Sequence, residues 1–161
     1  MKLYYEISKN ANALKLLDYA LEQEYSIKNR PEISRGKHGK PYFKNSDIYF
    51  NYSHCKYGVA CAVSDSEVGV DIQEIRSVKP SVIQRVCCDN ELEIIKTDED
   101  FIRIWTLKEA YAKFTGKGFA EGFKSIDTTS FPNGLAFICG ECYIACYAIG
   151  VKPQLVQVEL P

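Results

Sequence analysis

No stretch of the sequence reaches the roughly 18–20 apolar residues that a membrane span needs. The opening segment, MKLYYEISKNANALKLL, also has no continuous apolar run of export-signal length. Surplus charge of one sign is missing as well. Lys and Arg number 20 against 21 Asp and Glu, a formal net charge of −1, so no global positive field draws the chain to nucleic acid or to a membrane surface. Any anionic ligand must be met by local basic groups. Low-complexity tracts and evident linkers are absent, and the chain reads as continuously folded. Together these shortages leave a cytoplasmic enzyme or binding protein as the expectation.

Histidine is scarce and cysteine is not. The two histidines are His38 and His54, against seven cysteines. An odd cysteine count without an export signal reads as reduced core thiols. Cys139-x2-Cys142-x3-Cys146 has the spacing of metal ligands. Its flanks, however, read as two strands joined at Gly140-Glu141, and the histidines lie far off in sequence, so no fourth ligand is evident.

What is present is the composition of an ordinary globule: 46% hydrophobic, 25% charged and 12% aromatic. The 161 residues suit one compact domain or two small halves. Periodicity predicts a strand at Leu3–Ile7 and a helix over about Asn12–Glu24, with Leu14, Leu17, Ala20 and Leu21 at helical spacing. Residues 28–40, KNRPEISRGKHGK, read as a basic loop. Strands follow at Ile48–Tyr52, Tyr57–Val63 and Val68–Ile72; the last alternates, placing Val68, Val70 and Ile72 opposite Gly69, Asp71 and Gln73. Helices are predicted around Pro80–Val86, Asn90–Lys96 and Asp100–Thr115, the last stopped by Gly116. Strands near Ser125–Thr129, Leu135–Cys139, Tyr143–Ile149 and Gln154–Val158 complete an α+β chain. Helices followed by a few strands occur twice, which fits a duplicated unit.

The segment FIRIWTLKEAYAKF is apolar on nearly every side of a helix and should be buried. Glu109 nevertheless falls among its apolar positions, with Lys113 one turn on. A carboxylate there needs a partner or a metal, although the same spacing also makes an ordinary i,i+4 ion pair. Asp71 ends an apolar strand, where it is either a ligand or a turn-forming aspartate. Asp71 and Glu109 together suit a hard cation such as Mg2+, with phosphate oxygens completing its shell. Lys108, Lys113 and Lys117 lie close in sequence to that pair, and Arg35, Lys37, His38 and Lys40 form a second anion-binding candidate or a solvated loop. His54 is a phosphate donor or a structural histidine.

Four motifs occur in order: Gly39-Lys40-Pro41-Tyr42-Phe43, Phe50-Asn51-Tyr52-Ser53-His54, Val68-Gly69-Val70-Asp71-Ile72-Gln73 and Trp105-Thr106-Leu107-Lys108-Glu109-Ala110-Tyr111-Ala112-Lys113. Over roughly residues 36–119 the chain resembles the 4′-phosphopantetheinyl transferases of the surfactin-synthetase-activating type, including a W-x-x-K-E-A signature. The resemblance implies a pseudo-dimer of two similar α+β halves, here residues 1–73 and 74–161, with coenzyme A in the cleft between them. It implies Asp71 and Glu109 as Mg2+ ligands, Gln73 as a further ligand directly or through water, Glu109 as general base and Lys113 beside the coenzyme A phosphates. Lys108 accompanies Glu109 and is expected near the phosphates. Ser53 and His54 match phosphate contacts, Lys40 and Pro41 match the adenosine end, and Arg35 is expected to replace part of a 3′-phosphate contact. The implied reaction moves phosphopantetheine from coenzyme A to a serine of an apo acyl or peptidyl carrier protein, in a monomer. Two departures stand out: Gln73 replaces a carboxylate common among relatives, and the N-terminal region is short. A rival reading is a degenerate relative that binds coenzyme A or a carrier protein without turnover.

Overall fold

The computed structural model describes residues 1–120 and 122–161. In chain order it comprises β1 (Lys2–Glu6), α1 (Ala13–Tyr25), β2 (Ile33–Arg35), β3 (Pro41–Phe43), β4 (Tyr49–Cys55), β5 (Gly58–Ser64) and β6 (Gly69–Glu74). Then come α2 (Pro80–Val86), α3 (Asp89–Ile94), α4 (Asp98–Thr115), β7 (Gly134–Cys139), β8 (Cys142–Tyr147) and β9 (Gln154–Gln157). The strands form a four-stranded sheet β4-β5-β1-β9, a three-stranded sheet β6-β8-β7 and the small hairpin β2-β3. All pairings are antiparallel except β1 with β9, which run parallel.

Alternation along the strands decides the layering. On β1 and β5, Tyr4, Val59, Cys61 and Val63 face one way and pack on Leu16, Leu17, Ala20 and Leu21 of α1. Leu3, Ala60 and Ala62 face the other way and meet Val70, Ile72, Ile144 and Cys146 of the second sheet, with Val68 just before β6. The far face of that sheet carries α4, through Leu107, Ala110 and Ala145. The order of layers is therefore helix, sheet, sheet, helix, and the mixed α+β class expected from the sequence holds. Among the described residues, no helix is long and apolar enough to cross a membrane.

β6 reaches α4 more closely than a side chain would permit. A Cβ on Gly69 would lie 1.9 Å from the carbonyl oxygen of Ala110 and 2.4 Å from the amide nitrogen of Phe114. Gly69→Ala must push α4 off the sheet, an overpacking cost of about 1–3 kcal/mol or more. Urea denaturation should show a lower midpoint for this variant; an unchanged midpoint would refute the close approach.

The helix α4 starts on a capping box, in which Thr97 accepts from the Asp100 amide and Asp100 reaches back to the Thr97 amide. It stops at Gly116 in the left-handed conformation, φ 66°. Two expectations are corrected. Residues 28–40 are not wholly loop, because Ile33–Arg35 pairs with Pro41–Phe43. Ser125–Thr129 is not a strand: two short 3-10 turns, Phe123–Ser125 and Thr128–Ser130, occupy this region. β6 pairs with β8, while β9 returns to pair with β1. All seven cysteines are free thiols. Cys139 and Cys142 face each other across the β7-β8 hairpin, whose Gly140 has φ 58°.

Candidate active site

The site is assembled where β4, β6 and α4 meet. Asn51 on β4 accepts a hydrogen bond from the Val70 amide at 2.8 Å, which fixes β4 against β6 although the two belong to different sheets. Two residues along β4, the Ser53 hydroxyl donates to Asp71 Oδ1 at 2.7 Å. Lys113 Nζ donates to the same Oδ1 at 2.6 Å and to Ser53 Oγ at 2.8 Å. Gln73 Nε2 donates to Asp71 Oδ2 at 2.8 Å. Asp71 is only 2% exposed, and these partners meet the need of a buried carboxylate.

Glu109 stands one turn before Lys113 on α4, but the lysine is given to Asp71. Among the described residues Glu109 forms no ion pair. Burial raises its carboxyl to about 7 from the ordinary 4.5, the negative charge of Asp71 adds to the rise, and Lys113 opposes it. A half-buried carboxylate beside another carboxylate is relieved by a proton or by a cation. Asp71 and Glu109 supply hard oxygen donors, and turning the Gln73 amide over would offer its Oε1 as a third. The donor set fits Mg2+.

Beside this cluster lies a cleft of about 380 Å3, within the range of small-molecule sites. Arg35, His38, Gly39, Lys40 and Pro41 of the hairpin segment form one wall. Asn51 and Tyr52 of β4 form the floor, and Glu109, Ala112, Lys113, Gly116, Gly118 and Phe119 close the other side. Arg35 braces the hairpin by donating to the Gly39 carbonyl at 3.0 Å. Lys40 is held on the Glu67 carboxylate and the Phe114 carbonyl. Glu67 and Asn51 therefore help shape the cleft, a role that sequence reasoning did not single out; Asn51 was signalled only by its place in the motif with Ser53.

The lysines of α4 part company. Lys108 does not reach the cleft, contrary to the sequence expectation that it sits near phosphate. Its side chain is 0% exposed and lies 2.7 Å from a Glu91 oxygen of equal burial. The ammonium also donates to the carbonyls of Phe123 and Ile126. Glu91 completes the knot by accepting from the Cys88 and Thr128 amides and the Thr128 hydroxyl. This network turns the backbone of 123–128 inward, which is why that segment does not extend as a strand. It also explains the one group of three acidic or thiol ligands brought together among the described residues, Cys88, Glu91 and Asp127. There the Lys108 ammonium and the Cys88 amide meet one oxygen of Glu91, and Thr128 meets the other. His54 and Lys117 are exposed; by strand alternation His54 shares the β4 face of Tyr52, which lines the cleft, and not that of Ser53.

Residues 67–150 match the sequence model of the 4′-phosphopantetheinyl transferase superfamily. The chain is 34% identical over 105 residues to the 4′-phosphopantetheinyl transferase gsp of Aneurinibacillus migulanus, covering 61% of this chain and 44% of that protein. It is 31% identical over 149 residues to a 4′-phosphopantetheinyl transferase of Bacillus pumilus, covering 85% and 62%. To the 4′-phosphopantetheinyl transferase Sfp of Bacillus subtilis (strain 168) it is 25% identical over 147 residues, covering 83% and 66%. The chain thus spans between 44% and 66% of the length of these relatives.

Proposed function

The chain belongs to the 4′-phosphopantetheinyl transferase superfamily, and from that premise we propose that it transfers the phosphopantetheine arm of coenzyme A to a serine of an apo acyl or peptidyl carrier protein, releasing 3′,5′-ADP. The observation that carries the reading is that Glu109, its carboxyl raised by burial and by the Asp71 charge, lines the same cleft as Arg35 and Lys40. Two acids prepare for a cation, and basic groups across from them prepare for phosphates. On this reading the two helix-on-sheet layers are the halves of the expected pseudo-dimer, working as one monomeric, cytoplasmic unit.

In the proposed reaction the serine oxygen forms a bond to the β-phosphorus of coenzyme A while the bond to the departing 3′,5′-ADP breaks. A serine hydroxyl is a poor nucleophile until its proton is removed. Glu109 takes that proton; burial and the Asp71 charge raise its proton affinity when no cation is bound, and a bound Mg2+ would lower it again. Lys113, anchored by Ser53 and Asp71, places a positive charge beside the phosphates. Arg35, Lys40 and Pro41 line the route to the adenosine end. Asp71 and Glu109, with Gln73, would hold Mg2+, which when bound offsets charge on the phosphate oxygens.

The decisive experiment incubates an apo carrier protein with this protein, coenzyme A and Mg2+, and reads the intact mass of the carrier. A gain of one phosphopantetheine, abolished by EDTA, is expected. No gain across fatty-acid, polyketide and nonribosomal-peptide carriers, with coenzyme A binding intact, would overturn transfer.

Two further outcomes follow from the acid pair. Without a cation the folded protein keeps the Glu109 proton up to about pH 7, whereas the unfolded chain releases it near 4.5. The folded state therefore binds more protons between those values, and its stability falls as pH rises through that window. Mg2+ should cancel the loss, so the rise in melting temperature on adding Mg2+ should be larger at pH 8 than at pH 5.5; equal rises would refute competition between proton and cation. Gln73→Glu adds a third carboxylate and should lower the Mg2+ concentration needed for half-maximal transfer, while an unchanged titration would remove Gln73 from the ligand set.

A further inference from the structure

Cys55 ends β4 in one sheet and Cys142 opens β8 in the other. Their sulfur atoms lie 3.7 Å apart, and the cleft uses neither of them. Cys142 is fully buried, whereas Cys55 is partly exposed. We propose that the pair is a modification site: a reversible disulfide, formed by exchange with a low-molecular-weight disulfide, that bolts β4 to β8. The inference stands apart from the transfer reaction and does not depend on it.

Chemistry distinguishes the two sulfurs. The Cys55 thiol is lowered to about 7, first by the hydrogen bond it shares with Cys142 and then by the backbone amides of Tyr57 and Gly58, against burial and the Glu74 carboxylate. Cys142 is pushed up by the same hydrogen bond, by burial and by Glu74. Cys61, Cys87, Cys88, Cys139 and Cys146 are all pushed up, chiefly by burial. Cys55 is thus the accessible thiolate of the set and the natural nucleophile.

The exchange balances in two steps. Cys55 thiolate attacks one sulfur of the small disulfide, forming a mixed disulfide and releasing one small thiolate. That thiolate takes the Cys142 proton as Cys142 attacks Cys55 Sγ, closing the internal bond and expelling the second small thiolate. Two protein thiols are oxidised and one small disulfide is reduced to two thiols. The sulfurs must close from 3.7 Å to about 2.05 Å.

The test exposes the reduced, folded protein to glutathione disulfide, then unfolds it in denaturant, caps the remaining thiols with iodoacetamide and maps the peptides by mass spectrometry. Loss of two of the seven alkylatable thiols, a Cys55–Cys142 cross-linked peptide and recovery with dithiothreitol are expected. Cys142→Ser should stop at a mixed disulfide on Cys55, and Cys55→Ser should keep its remaining thiols. A wild-type protein that keeps all seven, stops at the mixed disulfide, or joins Cys142 to Cys139 instead overturns the assignment.

Discussion

Glu109→Gln is expected to slow carrier loading by a factor of about a hundred to ten thousand, the usual worth of a positioned general base. The amide keeps the shape of the side chain, removes the proton acceptor and leaves one carboxylate where there were two. Asp71→Ala should fall at least as far, for a different reason. Ser53, Gln73 and Lys113 all donate to that carboxylate, so its loss unseats the lysine and a cation ligand together. The two variants should part company in stability. Above pH 7 an ionised Glu109 costs the folded state, because burial and Asp71 both oppose its charge. Glu109→Gln should then unfold at an equal or higher urea concentration than the parent at pH 8, the familiar exchange of activity for stability at a strained site. Asp71→Ala leaves buried donors unmatched and should unfold earlier. Single-turnover loading by mass spectrometry, read beside urea curves, separates these effects. Near-parental loading by Glu109→Gln would remove it from the chemistry.

Lys108→Met should destabilise the fold by about 3–5 kcal/mol, the cost of stripping one partner from a buried ion pair. Glu91 would keep its charge at 0% exposure, with the Phe123 and Ile126 carbonyls also deprived of their donor. Adding Glu91→Gln should recover part of the loss, because the amide removes the stranded charge while its oxygen can still accept from Thr128. Urea denaturation of both single variants and the double variant measures the coupling. A cost below about 1 kcal/mol for Lys108→Met, the range of exposed pairs, would mean that the pair is not sealed from water.

These two lysines show where the sequence is readable and where it is not. The placement of Asp71, Gln73, Glu109 and Lys113 in one cluster follows from local rules: period-two alternation on β6, one helical turn on α4, and a strand that meets a helix. The end of α4 at Gly116 is equally local. Which of Lys108 and Lys113 faces the cleft is not local, because the choice is made by Glu91, on α3. The same partner, reached through Thr128, decides that Ser125–Thr129 folds into turns despite its strand-like pattern. On α1 the spacing marked Leu17, Ala20 and Leu21, which are buried, but also Leu14, which is 39% exposed, and it passed over the buried Leu16. The β2-β3 pairing hid inside a run of charge, since three-residue strands carry too little periodicity to stand out.

The two sheets trade strands: β6 leaves its neighbours in sequence to join β8, and β9 comes back to lie along β1, with Lys2 opposite Gln154. A polypeptide built this way cannot complete its first sheet until nearly all of itself is available. Loop closure across that span must precede the contacts that reward it, which slows folding relative to a chain of local hairpins. Neither sheet can then melt without dragging strands out of the other's sequence neighbourhood. The two layers should accordingly be lost in one cooperative transition.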